Sequence, residues 1–507
     1  MKHFHFKVIL FFFVNVTWMY TYSQQVDSLV LKIKDKQDVI YSFQESIWSN
    51  PAARLNYRKY NLTSFSIATI SNKEAATLAQ EGKDKKSMLL QADAFNRLDE
   101  NSAVWGGASY RQGRNKEVYW NESADYALIY PYVVADSIGG DIKYEHYVVE
   151  GGYVQQIGKY NLGISGFYKA RMEYRNIDPR PKNLATQVGG TLGVSRDFNS
   201  YLTIGIQANI EKYTQKHKMS FYSPTGFPVI YEMNGMGNFN NMLKGKRREA
   251  FYDGWAYGTA IQIYESQAKT WFVTGGVTHF RFEKLLPEFY DVQASKAKDL
   301  SYVLTAGKLF DIQPMQIGFV IQGTKQIRKG TENLFINATT NNFIKIGQEE
   351  RYRFEESQLH FRSVLNYSTN RNDYSLLPFV TFLKQTERYT QPFSQTTIAS
   401  MQLGFQGQWM HKFENKGLVT VESLWSLKRN TKEQANFSYG NSQLINQMLL
   451  SNYALQIADY WKGNFKVRYD FTVARALDVF VLGEYQYQNI QHHGNNSTTL
   501  VSLGITF

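Results

Sequence analysis

The sequence contains no cysteine, only 10 prolines in 507 residues, and, outside its N-terminus, no apolar run of the ~18 residues that a helix needs to cross a bilayer. Without cysteine there are no disulfide scaffolds, zinc fingers, thiol nucleophiles or lipid-modified N-terminal cysteine. Without long apolar runs a helical membrane protein is excluded. What is present is an unusual pairing: 15% of the residues are aromatic, yet the mean hydropathy is -0.42. Hydrophobic residues at 43% exclude a disordered chain.

Residues 1–23 read as a secretory signal peptide. Lys2 and Lys7 supply the positive start, and the apolar stretch from Val8 to Met19 is too short and interrupted to span as a helix. Cleavage near Ser23–Gln24 removes two lysines and no acid, taking the net charge from +12 to +10. Residues 24–56 form a separate segment. Val26 to Ile47 has a helical pattern, which Trp48-Ser49-Asn50-Pro51-Ala52 breaks. This segment reads as a plug inside a barrel, a periplasmic docking helix or a tether.

From residue 57 to 507 the main signal is alternation with period two, as in strands with two unlike faces. Leu202, Ile204, Ile206, Ala208 and Ile210 oppose Thr203, Gly205, Gln207, Asn209 and Glu211. Phe465, Val467, Tyr469 and Phe471 oppose Lys466, Arg468, Asp470 and Thr472, and Met401, Leu403, Phe405 and Trp409 oppose Gln402, Gln406 and Gln408. Several of these runs reach about 12–16 residues, whereas soluble strands have about 5–6. Short turns fall near Asn101, Gly158, Asn199, Gln267, Asp311, Asn370, Asn415 and Leu477. Longer polar stretches at 114–141, 214–250, 284–297, 329–350 and 430–462 alternate with them and read as irregular outer loops. Alternating short and long connections fit an all-β transmembrane antiparallel barrel of about 18 strands (14–18), with both ends on the periplasmic side. Tyr174, Trp255, Trp425 and Trp461 lie at strand ends, where interfacial aromatics are expected.

Residues 105–183 carry a family resemblance. Trp105-Gly106-Gly107-Ala108-Ser109-Tyr110 leads to Trp120-Asn121, Asp125-Tyr126 and Pro131-Tyr132; Asp136-Ser137-Ile138-Gly139-Gly140, Gly151-Gly152-Tyr153 and Asp178-Pro179-Arg180-Pro181 follow. Together they resemble an uncharacterised family of outer-membrane β-barrel proteins known only as a domain of unknown function. That resemblance implies a barrel in the outer membrane and implies nothing about chemistry. The Asn50-Pro51-Ala52 triplet is also similar to the N-terminal segment of fatty-acid channel barrels, which have a lumenal hatch.

Catalytic constellations are missing. After the signal segment histidine occurs only at 146, 217, 279, 360, 411, 492 and 493. His492 and His493 are adjacent, whereas metal sites need three or four converging ligands, so the pair reads as a polar turn. No phosphate-binding glycine loop or nucleophile elbow occurs. A non-enzymatic chain with no cofactor and no nucleic-acid partner is expected.

Charge says more. Lys169, Arg171, Glu173 and Arg175 share one strand face, and Lys466, Arg468 and Asp470 share another. Facing lipid they would cost about 2–4 kcal/mol each, so they must face the lumen, lining either a wet pore or a filled interior knitted by ion pairs. A second basic set flanks the longest central loop: Lys212, Lys216 and Lys218 before it, Lys244, Lys246, Arg247 and Arg248 after it. At the outer rim these would meet anionic lipid head groups or an anionic solute. The aromatic, Met-rich loop between them and the apolar stripe at 441–460 suit a partner or an inward fold. Two functions fit: a channel or uptake component for a solute, or an accessory subunit of a larger outer-membrane transport or secretion complex, docked on another receptor or transporter.

Val501, Leu503, Ile505 and Phe507 form one face of the last strand, and this pattern resembles the signal read by the outer-membrane assembly machinery. Deleting Phe507, or replacing it with Lys, should block membrane assembly while leaving export intact. Normal amounts of heat-modifiable barrel in the outer membrane after the deletion would contradict this.

Overall fold

The computed structural model describes residues 29–507 apart from 200, 225–227, 246–248, 340–341, 414–416, 439–441 and 475–476. The expected signal peptide, Lys246, Arg247, Arg248 and the turn at Asn415 lie outside the described residues.

Eighteen antiparallel strands form the wall. The first seven are β1 (Leu62–Glu74), β2 (Lys83–Asp99), β3 (Ser102–Val118), β4 (Gly140–Ile157), β5 (Tyr160–Tyr174), β6 (Arg180–Asn199) and β7 (Leu202–Ser220). After the longest loop come β8 (Glu249–Tyr264), β9 (Trp271–Leu286), β10 (Val292–Ile312), β11 (Met315–Thr339), β12 (Asn342–Ser368) and β13 (Asn372–Thr390). The ring ends with β14 (Phe393–Lys412), β15 (Gly417–Asn436), β16 (Tyr460–Ala474), β17 (Leu477–Ile490) and β18 (Gly494–Thr506). Each strand pairs with its sequence neighbours, and β18 pairs back onto β1 from Ser64↔Thr506 to Glu74↔Asn496. The barrel is closed, so no strand edge is left to be solvated.

The burial pattern is inverted relative to a soluble protein. On β6 and β7, Leu192 (64% exposed) and Ile206 (53%) face outward while Ser195 and Thr203 (1% each) face inward. The apolar exterior continues through Leu304, Phe319, Phe405, Phe465 and Val501 on five further strands. Only lipid solvates such a surface, and only a closed barrel or a helix satisfies its backbone there. The protein is an integral β-barrel of the outer membrane. Leu503, Ile505 and Phe507 face outward with Val501, and Phe507 exchanges backbone hydrogen bonds with Thr63 at the seam.

The short turns lie at one end, as expected, and the strands run from 13 to 27 residues, longer than the sequence suggested. Two stretches expected to be irregular are strand instead. Residues 329–339 and 342–350 are the tips of β11 and β12, paired out to Thr339↔Asn342. Most of 284–297 belongs to β9 and β10, joined by a short 3-10 turn, Pro287–Phe289. Beyond the hydrocarbon both faces of a strand meet water, so period two fades from the sequence while the ladder continues.

Inside the ring, residues 29–56 fold into α1 (Leu29–Gln37), α2 (Val39–Phe43), α3 (Glu45–Trp48) and a 3-10 turn, Pro51–Asn56. At the other end lie α4 (Tyr126–Ile129), a small sheet of Val134–Ala135, Tyr231–Gly235 and Asn238–Phe239, and α5 (Gln443–Ile457).

The phase of the alternation is testable. Ile206→Arg puts a charge on the lipid face and should cost about 2–4 kcal/mol of folding stability, whereas Gln207→Arg on the lumenal face should cost little. A larger loss for Gln207→Arg than for Ile206→Arg in urea titrations in lipid would mean that the faces are exchanged.

Candidate functional site

Folded segments lie across the lumen at both ends, and the two covers are built differently. At the end of the short turns, α1, α2 and α3 cross the opening and touch wall strands on every side. Val30 and Ile33 pack with Leu62, Met410 and Leu418; Phe43 and Ile47 pack with Phe272, Leu309, Val320, Val364 and Leu377. Polar bonds tie the same helices to the wall: Lys34 to Asp373 at 2.6 Å, Lys36 to Asp93 at 2.5 Å and to Ser64 at 2.7 Å. The Gln262 amide donates to the carbonyl of Ser46, and the Arg362 guanidinium to that of Ser42, at 2.8 Å each.

Asn50-Pro51-Ala52 is seated by glycines. The Asn50 side chain accepts from Ala52 N–H, capping the 3-10 turn, and is fully buried against β6 and β7. A Cβ at Gly193 would stand 2.0 Å from Asn50 Oδ1, and one at Gly163 would stand 2.3 Å from Ala52 N. No other residue permits the turn to come so close to the wall.

At the outer end, residues 119–139 and the described residues of 228–245 fold inward instead of extending outward. Tyr132, Val133, Val134, Ile230 and Leu243 pack against Tyr213, Tyr252, Phe282 and Leu286 of the wall. On top, α5 contributes Ile445 and Met448, and its Leu449 covers Gly237. Buried ions pin the inward fold. Arg175 (1% side-chain exposure) donates to Glu122 at 2.7 Å and lies 3.6 Å from Asp136. Lys284 pairs with Glu232, both buried. Arg328 donates to the carbonyls of Ala127 and Tyr130 at 2.8 and 2.9 Å, and Tyr130 donates to Glu387 at 2.6 Å. Burial, and then the nearby Asp136, hold the Glu122 carboxyl well above the usual carboxylate range against the pull of Arg175. One guanidinium thus faces two carboxyls, of which Glu122 favours the proton.

Between the closures lies a wet chamber: Gln91, Glu150 and Lys169 stand on the inward face of the wall yet are exposed. Under residues 119–139 it deepens into a polar cavity of about 300 Å³ against β2 to β6. There Lys85, Arg111 and Arg171 meet Glu81, Asp125 and Glu173, beside Tyr144 stacked on His146 at 4.7 Å. Arg171 pairs with Asp125 at 2.6 Å, and the buried Asn115 Oδ1 and Glu122 Oε2 have no hydrogen-bond partner. The balanced charge suits a polar solute that both donates and accepts. Among the described residues no group of three or more His, Asp or Glu could hold a metal ion.

The residues singled out in the sequence fall in three places. Arg171, Glu173 and Arg175 line the polar cavity or its roof, and Lys169 stands over the Phe167 ring at 4.7 Å. Lys466 pairs with Glu422 at 3.0 Å and Arg468 with Asp470 at 2.6 Å, on the wall beside the plug. Lys212, Lys216 and Lys218 point outward from β7, while Lys244 lies over Phe239 at 5.7 Å in the inward loop. Glu122, Asp125, Asp136, Lys34, Lys36 and Glu232 were not legible as site residues, because their partners are far away in sequence.

Residues 51–507 match the model of a family of unknown function (DUF6850), and the chain belongs to that family. No curated protein matches. Among solved structures the chain is similar to BauA, the ferric preacinetobactin receptor of Acinetobacter baumannii (11% identity, TM-score 0.41, covering 88% of this chain and 80% of that one). It is also similar to the outer membrane transporter YddB of Escherichia coli (8%, 0.40, covering 89% and 81%) and to the ferric-catecholate import receptor Fiu of the same organism (7%, 0.37, covering 88% and 81%). Likeness of that order carries no argument about function.

Because burial raises the Glu122 pKa, its contribution to the inward fold is complete at acid pH and is lost as pH rises through the raised value. Hydrogen exchange in residues 119–139, corrected for intrinsic rates, should therefore quicken as pH rises from about 5 toward alkaline values. Glu122→Gln should flatten that dependence. Arg175→Gln, which leaves Asp136 buried without its cation, should open the segment at neutral pH at a cost of about 3–5 kcal/mol. A profile of the same slope in wild type and Glu122→Gln would count against the assignment.

Proposed function

We propose that the protein is a non-enzymatic, gated uptake barrel, in which a polar solute enters from the outer face and leaves when the plug at residues 29–56 moves. One observation carries this reading: solvated, charged residues of the inner wall lie between two separate covers, each fastened by ion pairs. A barrel serving only as scaffold needs no such chamber. Ion pairs on a plug can be exchanged for water as it moves, which a continuous apolar core does not allow without a large penalty. A second reading, an accessory subunit of a larger outer-membrane complex, is favoured by Leu444 and Leu450 of α5, which remain exposed at the outer surface. Co-elution of a stoichiometric partner in mild detergent supports that second reading.

The uptake reading is tested in planar bilayers. Folded wild-type protein should show no steady conductance. With the outer cover released by Arg175→Gln, Lys34→Ala/Lys36→Ala, or deletion of residues 24–49, should open a channel whose ion preference moves toward cations on Lys169→Glu, whereas Arg175→Gln alone should not. A plug-less barrel carrying Arg175→Gln, shown to be folded by heat modifiability, that still fails to conduct would overturn gating by the plug.

A further inference from the structure

We propose that the barrel carries a girdle of cations on its outward face, directly above the apolar belt, which binds the phosphate groups of outer-leaflet lipids. The register places the bases in two rows. In the first, Lys86, Arg114, Lys143, Tyr174, Lys182 and Lys218 are successive cross-strand partners from β2 to β7. In the second, Trp255, Arg281, Lys298, Lys329, Arg353 and Arg388 are successive partners from β8 to β13. Lys212, opposite Trp255, begins the second row on the same β7 strand on which Lys218 ends the first.

Direct partners share a face, and that face is the lipid side. Met88 and Leu184, two residues nearer the membrane than Lys86 and Lys182, are exposed hydrophobics, as is Tyr257 below Trp255. The members nearest the belt, such as Lys212 and Arg281, stand at the level of the head groups, and each row climbs from there along the tilted strands. The stretches from Arg114 back to Ser102, Lys143 to Ile157, Arg281 to Trp271 and Lys298 to Ile312 each fill or exceed the roughly 9–11 residues that a strand needs to cross the hydrocarbon. Tyr174 and Trp255 sit within the rows, where interfacial aromatics belong.

Protein groups neutralise only part of this charge, Lys212 for example being paired with Asp253. Arg114 pairs with Asp141, Lys218 with Glu249, Lys329 with Glu350 and Arg353 with Glu355. Lys86, Lys143, Lys182, Arg281, Lys298 and Arg388 have no acidic partner among the described residues. Like charges directly opposite one another, as at Arg281↔Lys298, where neither base has an acid, destabilise a ladder unless a counter-ion lies between them. A phosphate, with several acceptor oxygens, fits between two such side chains, and an anionic lipid brings it to this depth with its acyl chains against the belt below.

The test uses the full barrel in mild detergent with four probes: bisphosphorylated lipid A, the same lipid after phosphatase treatment, phosphatidylethanolamine, and inorganic phosphate. Bound lipid is read by native mass spectrometry and stability by the midpoint of heat modification. Bisphosphorylated lipid A should remain bound and raise the midpoint, and the other three should not. Lys143→Gln/Lys182→Gln/Lys298→Gln/Arg388→Gln should lower retention at least several-fold. Equal retention of the dephosphorylated lipid, equal retention by the quadruple variant, or an equal midpoint shift from inorganic phosphate would each overturn the lipid assignment. The phosphatase comparison is made on wild-type protein, so it decides the matter even if the variant assembles poorly.

Discussion

The structure depends on one constraint: in hydrocarbon, every backbone N–H and C=O must find a partner within the protein. The pairing of β18 with β1 satisfies it by closing the ring, which turns eighteen individually unstable strands into one object. Closure in turn gives every strand one face in lipid and one in the lumen. The lumenal face is then free to be polar, and within the span of the hydrocarbon charge is confined to that face. This is why a chain with 15% aromatic residues has a negative mean hydropathy.

An enclosed polar lumen has to be filled or solvated, and this chain does both. The helices of residues 29–48 fill one end with side chains of both kinds, apolar ones such as Phe43 in a wall pocket and lysines on wall carboxylates. The inward loops fill the other end around a more apolar core in which Arg175 and Lys284 are buried with their acids. A buried ion pair is weak support for stability but is costly to break from one side. Such pairs therefore fix where a loop sits without making the whole interior one rigid core. The closures differ accordingly: the ions of the plug, Lys34 and Lys36, stay partly exposed, whereas those of the outer cover, Arg175 and Lys284, are buried.

The barrel was legible in the sequence because lipid imposes period two over unusually long runs; the strand count, the short turns and the inward face of Lys466, Arg468 and Asp470 all follow from it. Legibility stopped where the solvent stopped discriminating between faces. The tips of β11 and β12 carry polar residues on both sides, so 329–350 looked like loop although the backbone ladder runs on. The inward fold of 119–139 was hidden for another reason. Its anchors, Glu122 with Arg175 and Arg328 with Tyr130, join residues tens to hundreds of positions apart, and no local pattern announces such a pairing. The fold of 29–56 was legible as helix, but its seat on Gly163 and Gly193 was not, since glycine is common in these strands.

The two populations of lysine and arginine show how little residue type says without phase. Lys169 and Lys182 are both exposed cations in neighbouring strands, yet one faces the chamber and the other the exterior. A shift of one position would put an inward base into hydrocarbon and an outward hydrophobe into the chamber, so the apolar belt fixes the sense of every charge above and below it. Within the belt the outward face must be apolar, and bases can only be inward, where Glu422, Asp470 and Asp373 await them. Past the belt the prohibition lifts, and the outward face turns basic within one or two positions, as from Leu184 to Lys182. Acids accompany these bases only in part, which is the composition expected where the surroundings already supply negative charge. The net positive charge of the chain is thus placed largely by the lipid on either side of a boundary that the hydrocarbon draws.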